Sequence, residues 1–288
     1  MIYLQIAANG LVLGGLYACI AVGFSLVWGV LNVINILHGT FIVLGSYVAY
    51  LAYVYLGVHP FVSIVIAGGL LYALGHSLQA GIINRVIAAP VLITLTLTFG
   101  LDLILNNSMV VAFTADYRGI TLAHPLGSFE IGPVFLPGDR VVAMVLAILL
   151  TLLLYWLLRE TSIGRAIVAV RMDREAAALM GVDIKRINAI TFGIGAFMAG
   201  AAGALLSIIF PISPLNSQVF LGKAFVVCVL GGLGSVPGAL AGGLLLGMIE
   251  SFGSYWMGPE RAVTLSFAVL LLVLFVRPSG LTGRRGYE

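Results

Sequence analysis

Apolar residues in this chain come in long blocks with no strand-like alternation of apolar and polar positions. Blocks bounded by polar or turn residues predict membrane-length segments at 6–30, 36–56, 61–83, 90–113, 141–158, 188–210, 224–252 and 262–276. A transmembrane helix needs roughly 20 apolar residues. The first Asp, Glu, Lys or Arg is Arg85, and the 84 uncharged residues before it hold about three crossings with tight turns. The pattern predicts an all-α, polytopic transmembrane helical bundle of about eight hydrophobic segments, in one domain spanning 1–288. Asn84-Arg85 reads as a short connection and 114–140 as a longer loop with Pro125, Pro133 and Pro137.

Composition agrees with the pattern. Of 288 residues, 61% are hydrophobic and 9% charged, far below the quarter typical of soluble domains. The 36 glycines suit helices that pack backbone to backbone in lipid. Cys19 and Cys228 lie in apolar stretches as small hydrophobes, so neither a disulfide framework nor a metal site is implied. The start, Met-Ile-Tyr-Leu-Gln, lacks a basic n-region, so the first segment is expected to stay in the mature protein.

The net charge of +3 speaks to orientation and not to nucleic acid. The polar loop at 159–187 holds Arg159, Arg165, Arg171, Arg174, Lys185 and Arg186 against four acidic residues. The positive-inside rule places it in the cytoplasm, with Arg85 and a tail carrying Arg277, Arg284 and Arg285. If 224–252 were one ordinary crossing, that tail would emerge outside. A segment that enters and returns on the same side removes the conflict, and its middle, from Gly231 to Gly238 (GGLGSVPG), is poor helix material. A broken or re-entrant element near 224–252 is therefore expected, with the N-terminus outside and ten of fourteen basic residues inside. A different division of the first three spans would also return the tail.

Two polar interruptions invite a functional reading. Asn32 to Gly39 sets two amides, Asn32 and Asn35, and the His38 imidazole between the first two spans. Backbone leaves the helix at membrane depth only where protein or a wet cavity satisfies it, which marks transport pathways; the alternative is a plain polar turn at the membrane surface. His38 has no second ligand at metal spacing. The glycine-rich stretch 231–238 lacks the Gly-Lys-Ser/Thr ending of a phosphate loop. It lies either along a pathway or in close helix packing, with Gly238-x-x-x-Gly242 and Gly243-x-x-x-Gly247 behind it.

Asp102 and Glu250 fall inside apolar spans, where carboxylates default to functional hypotheses. The residues favour a quieter reading: Asp102 can meet Asn106 one turn away, Glu250 can reach the interface, and no basic partner is expected at their depth. In the basic loop, Asp173 can cap a short helix running through Arg174-Glu175-Ala176-Ala177-Ala178-Leu179-Met180, with Gly181 to end it. That helix is a dock for a soluble partner or an ordinary connection.

Three stretches, in this order and spacing, resemble the inner-membrane permease subunits of ABC importers of the branched-chain amino acid type. They are Ile34-Asn35-Ile36-Leu37-His38-Gly39 with Leu44-Gly45-Ser46-Tyr47, then Glu175-Ala176-Ala177-x-x-x-Gly181, then Lys223-Ala224-Phe225 leading to Gly231 through Ala239. The resemblance implies that the helix opened by Asp173 and Arg174 touches an ATPase, through Glu175, Ala176, Ala177 and Gly181. It implies an assembly in the bacterial inner membrane: a second related permease, two cytoplasmic ATPase subunits and an extracytoplasmic (periplasmic) substrate-binding protein. ATP would be bound by those partners, leaving this chain without catalytic residues, cofactor or metal. Asn35, His38, Gly39, Gly231, Gly232, Gly234 and Ser235 become candidates for the substrate pathway. The cargo implied is branched-chain amino acids or similar small polar solutes, amides and urea-like compounds included. An autonomous carrier or channel is the competing reading if Asp102 and Glu250 share a hydrated cavity. An intramembrane enzyme needs a Ser/Lys dyad, paired aspartates or a His-rich cluster, and the sequence shows none.

Overall fold

The computed structural model describes residues 2–87, 89–120, 127–132, 134–277 and 280–281; Pro125, Pro133, Arg284 and Arg285 lie outside the described residues. The long helices are α1 (Ile2–Leu31), α2 (Leu37–Leu56), α3 (Pro60–Gly81), α4 (Val91–Phe113) and α5 (Gly138–Glu160), with a hairpin of β1 (Ser128–Ile131) and β2 (Val134–Pro137) before α5. Two short helices follow, α6 (Ser162–Met172) and α7 (Arg174–Leu179), then α8 (Ile184–Ile209), α9 (Ser217–Gly231), α10 (Val236–Met257) and α11 (Pro259–Val276). Among the described residues nine helices are long and apolar enough to cross a membrane, one more than the pattern predicts. The extra one arises because 224–252 is two helices, α9 and α10, parted at Gly232–Ser235.

The centre is formed by α1 and α8, both apolar nearly all round and buried along most of their length, as expected of core helices. Helix α10 lies antiparallel against α1: Tyr3 meets Tyr255 edge to face, Ser251 donates to the Ile6 carbonyl at 2.7 Å, and Gly10 faces Met248. The contact is backbone on backbone at Gly243, where an added Cβ would sit 2.5 Å from Ala18 N, and at Gly247, which rests on Gly10 and Gly14. The small-residue spacing read from the sequence thus serves close packing.

One end of the bundle gathers Arg85, Arg159, Arg165, Arg171, Arg174, Lys185, Arg186 and Arg277, and the other has Arg118, Arg140 and Arg261. These are the basic end and the far end. From the far end α1 runs to the basic end, and α8 runs back. Helix α9 returns to the basic end, where Arg171 reaches Gly234, α10 goes out beside α1, and α11 comes in, with Leu281 N donating to Leu230 O at 2.8 Å. The 224–252 region is therefore broken into one helix that runs to the basic end and a second that runs back out, and the tail lands at the basic end as the charge pattern requires.

Three features depart from the sequence reading. Part of the 114–140 loop is a β-hairpin, joined to α1 by paired 2.7 Å hydrogen bonds between the Gln5 side chain and the Phe135 backbone. The basic loop holds a second helix, α6, which buries Gly164, Ile167 and Val170 at a spacing of three and turns Arg165 and Arg171 elsewhere. The 224–252 segment, one broken or re-entrant element in the sequence reading, is two helices of membrane-spanning length whose break falls at the basic end.

The glycine contacts give a test. Gly243→Leu is expected to force α1 and α10 apart and lower stability by about 1–3 kcal/mol, whereas Gly69→Leu, with nothing within 4 Å of an added Cβ, should be neutral. Thermal unfolding of the detergent-purified variants checks both.

Candidate functional site

Helix α1 ends at Leu31, and Asn32 turns the chain with a φ of +54°, a left-handed conformation that asparagine tolerates. Residues 32–36 then run non-helically back into the bundle. The imidazole of His38 marks how far: Nε2 donates to the Ile20 carbonyl at 2.9 Å. Ile20 precedes the end of α1 by eleven residues, about 16 Å at 1.5 Å per residue. The limb of residues 32–36 is therefore a strip of open backbone entering to mid-depth, not a surface turn. Thr98 of α4 satisfies one of its carbonyls, Ile34 O, at 2.9 Å. Asn35 and His38 are buried, and among the described residues neither amide atom of Asn35 nor His38 Nδ1 has a hydrogen-bond partner.

A second limb, residues 210–216, enters from the far end. Its backbone pairs with Arg118 through Ile212, at 2.9 and 2.7 Å, and Ser213 donates to Ala115 O at 3.0 Å. It ends at Ser217, the start of α9. There Asn106 of α4 donates to Ser217 Oγ at 2.6 Å, and Gln218 donates to Asp102 Oδ2 at 3.2 Å. Asp102 is the middle residue of α4, so α9 begins near mid-depth, as α2 does. The two helix starts touch: a Cβ on Gly39 would collide with the Ser217 carbonyl. Thr40, in the first turn of α2, donates to Asp102 Oδ1. Asp102 thus sits where two helix N-termini converge, a favourable place for a carboxylate. Its partners are Thr40 and Gln218; Asn106, the partner expected from helical spacing, bonds Ser217 instead.

The break between α9 and α10 lies elsewhere, at the basic end. Gly232 and Gly234 have φ of +101° and +77°, conformations glycine adopts freely, and Ser235 caps α10 by accepting from Gly238 N at 3.1 Å. Gly231, Gly232 and Gly234 are buried and Ser235 is half-buried. The candidate pathway residues therefore form two groups: Asn35, His38 and Gly39 at depth, and Gly231, Gly232, Gly234 and Ser235 at the basic end. Gly29, one turn before the α1 limb, packs on Gly234, where an added Cβ would lie 2.7 Å from the Gly234 Cα.

The short helix α7 forms as its residues predict. Asp173 accepts from Ala176 N at 3.0 Å, and Gly181 follows the helix with φ of +86°. Ala177 is buried, while Asp173, Glu175, Ala176 and Gly181 are exposed, and Leu179 and Met180 are 89% and 85% exposed. Two arginines of this loop point back into the bundle. Arg174 Nη2 donates to both Val30 O and Leu31 O, at 3.0 and 2.6 Å, and Arg171 Nη1 donates to Gly234 O at 2.7 Å. Burial draws the Arg174 guanidinium below its usual pKa. One loop thus holds the final carbonyls of α1 and the α9–α10 break.

The intramembrane ions differ from expectation. Glu250 has a basic partner: Lys223 Nζ donates to Glu250 Oε1 at 2.6 Å and to the Tyr17 hydroxyl at 2.7 Å, and lies 4.7 Å above the Tyr17 ring. Both side chains of the pair are nearly enclosed, at 13% and 11% exposure. Sequence reading missed the pair because it began the span at 224, treating Lys223 as a boundary, whereas α9 starts at Ser217. Asp102 and Glu250 bond to separate partner sets. Among the described residues no three His, Cys, Asp or Glu side chains group as metal ligands, and Cys19 and Cys228 are free and buried.

With this geometry in hand, the chain was compared with known proteins. Residues 6–276 match the family model described as branched-chain amino acid transport system / permease component. The chain is 35% identical to the high-affinity branched-chain amino acid transport system permease protein LivH of Salmonella typhimurium, over 99% of this chain and 97% of that one. It is 32% identical, with the same coverage, to the corresponding protein BraD of Pseudomonas aeruginosa. Among solved structures, PsaBC from Streptococcus pneumoniae in complex with Fab shares the fold, at a TM-score of 0.50 and 14% identity, over 97% of this chain and 93% of that one.

The buried ion pair is testable apart from transport. Lys223→Met alone strands a carboxylate and should destabilise the protein by about 3–5 kcal/mol, while Lys223→Met with Glu250→Leu should recover most of that loss. A double-mutant cycle on thermal unfolding in detergent measures the coupling.

Proposed function

The chain belongs to the branched-chain amino acid transport system permease family, and from that membership we propose how it works as the permease subunit of an ATP-driven importer. It is a multi-pass membrane protein and a transporter subunit, not an enzyme. In our reading it sits in the bacterial inner membrane with its basic end in the cytoplasm, in keeping with the positive-inside rule. It pairs with a second, related permease. Two cytoplasmic ATPase subunits bind and hydrolyse ATP, and an extracytoplasmic binding protein delivers the cargo. The cargo is a branched-chain amino acid, as the names of the relatives say of them, or a similar small polar solute.

The observation that carries the coupling role is the pair of arginine contacts behind α7. The outer face of α7, with Glu175, Ala176, Leu179 and Met180, is free for an ATPase cleft, and Ala176 allows close approach. Closure of the ATPases moves α7. Through Arg174 the movement reaches the last turn of α1 and the limb behind it, and through Arg171 it reaches the α9–α10 break. The Val30 and Leu31 carbonyls lie at a helix end, belong to buried residues and lack helical donors, so the guanidinium is their partner. Moving α7 without moving α1 would strand them.

Open backbone along 32–36 and the unpartnered amide of Asn35 supply the groups that solvate a passing zwitterion when the limb shifts. No strongly charged well is needed, so the cargo can leave. Selection among solutes then rests largely with the binding protein.

The test uses the assembled complex in liposomes. Glu175→Lys or Gly181→Trp should leave membrane insertion intact and abolish cargo-stimulated ATP hydrolysis; retained stimulation removes the coupling assignment. Arg174→Ala should keep basal hydrolysis but cut uptake about tenfold or more, given roughly 1.5–3 kcal/mol for a hydrogen bond to a charged group. Cargo flux through this chain reconstituted without ATPases overturns the importer reading.

A further inference from the structure

A cavity of about 400 Å³ opens at the basic end between α3 and the start of α8, walled by His76, Asn84, Arg85, Lys185 and Arg186. The transport reading does not use it. Three of these side chains are cations, all exposed, and among the described residues none of the three makes a side-chain ion pair or hydrogen bond. The nearest acid in sequence, Asp183, is engaged as the cap of α8, accepting from Arg186 N at 3.1 Å. Asn84 is fixed by its own contacts: it donates to Lys185 O at 3.0 Å and accepts from Gln79 at 3.0 Å. The His76 ring stacks on Tyr72, and its Nδ1 is buried without a partner. The cavity thus sets three unpaired cations around Asn84 and His76, which are held by their own contacts.

What lies above the cavity identifies the occupant. Ala80, which also lines it, begins an exposed stripe on α3 that continues through Ser77, Ala73, Leu70, Ile66 and Val62 toward the far end. The spacing of three and four keeps these residues on one helix face. Ser77 folds its hydroxyl back onto the Ala73 and Leu74 carbonyls, at 2.8 and 2.9 Å, so the stripe presents little polarity. A basic pocket at the interface, continued by an apolar strip of membrane depth, matches a molecule with an anionic head and a hydrocarbon tail.

We propose that this cavity binds the phosphate headgroup of an anionic phospholipid of the cytoplasmic leaflet, with an acyl chain lying along the α3 stripe. The cationic side chains neutralise the phosphodiester, as basic pockets between membrane helices do. A free inorganic anion shares the chemistry of the head but has no use for the stripe.

The experiment titrates the detergent-purified full-length chain, within its transporter complex, with phosphatidylglycerol or phosphatidylcholine of equal chain length and reads bound lipid by native mass spectrometry. We expect one saturable phosphatidylglycerol site, about tenfold or more tighter than phosphatidylcholine, weakening as ionic strength rises. The variant combining Arg85→Gln, Lys185→Gln and Arg186→Gln should lose that preference. Arg159→Gln with Arg165→Gln, which removes two cations from the same end outside the cavity, should keep it and so control for charge and folding. Equal binding of the two lipids, or a preference surviving the triple substitution, overturns the proposal. Complete displacement of phosphatidylglycerol by millimolar inorganic phosphate also overturns it, by making the site one for a free anion. So does a triple variant that releases the ATPase subunits while keeping its lipid preference, which assigns the patch to a protein contact.

Discussion

Inside a bilayer a peptide group finds no water, so every carbonyl and amide that leaves a helix must find a partner in the protein. This chain leaves the helix twice at depth, along 32–36 and 210–216, and much of the surrounding structure supplies those partners. Thr98 serves Ile34 O, Arg174 serves the α1 terminus, and Ser213 and the Arg118–Ile212 backbone pair tie down the second limb. The same requirement accounts for α4. Its outer side is largely apolar and exposed, and its inward side carries a stripe at a spacing of four: Thr94, Thr98, Asp102 and Asn106. Three of these four bond directly to a limb or to a helix that a limb leads into. These polar bonds work together with apolar packing by Leu97, Leu101, Leu105, Met109 and Phe113 to hold α4 to the bundle.

Two kinds of joint follow. Where α1 meets α10 and α8, glycine lets backbones touch, and the contact is dense, apolar and intolerant of added volume. Where the limbs meet α4 and α7, the contact is made of hydrogen bonds, each worth about 0.5–1.5 kcal/mol net, or about 1.5–3 kcal/mol where one partner is charged, and a hydrogen bond can be exchanged for another. Dense joints favour one arrangement, and exchangeable ones allow several.

This division decides what a sequence can reveal. The hydrophobic blocks were readable because composition alone sets a membrane span, and α7 was readable because Asp173 and Gly181 are local signals at its two ends. The limbs were not. Asn32 to Gly39 has the same local character whether it lies at the surface or reaches mid-depth, and only His38 bonding Ile20 fixes which. Asp102 was matched by spacing to its neighbour Asn106, but its partners come from α2 and α9, far along the chain. Lys223 shows the same blindness from the method of bounding spans. A rule that stops an apolar block at each charge cannot see an ion pair inside one, because the neutralising carboxylate stands 27 residues away on another helix. The unmet groups, Asn35 and His38 Nδ1, are likewise invisible until neighbours are placed around them.

The choice of arginine behind α7 connects these parts. A guanidinium has a fork of donors, and Arg174 uses one nitrogen to hold two adjacent carbonyls at the end of α1, where the helix dipole also favours positive charge. Lysine, with a mobile and strongly hydrated ammonium, is a poorer fit in this half-buried place. Arg171 makes the equivalent hold on Gly234, and Gly234 rests against Gly29 of α1. From there two routes run to mid-depth, one along 32–36 to Gly39 and one back up α9 to Ser217, and these residues touch. The contacts form a closed circuit through the α6–α7 loop, both interruptions and the junction beside Asp102. In the coupling we propose, a displacement entering at α7 reaches Gly39 and Ser217 by both arms of this circuit. In that coupling, the junction beside Asp102 is where motion carried along the two limbs meets.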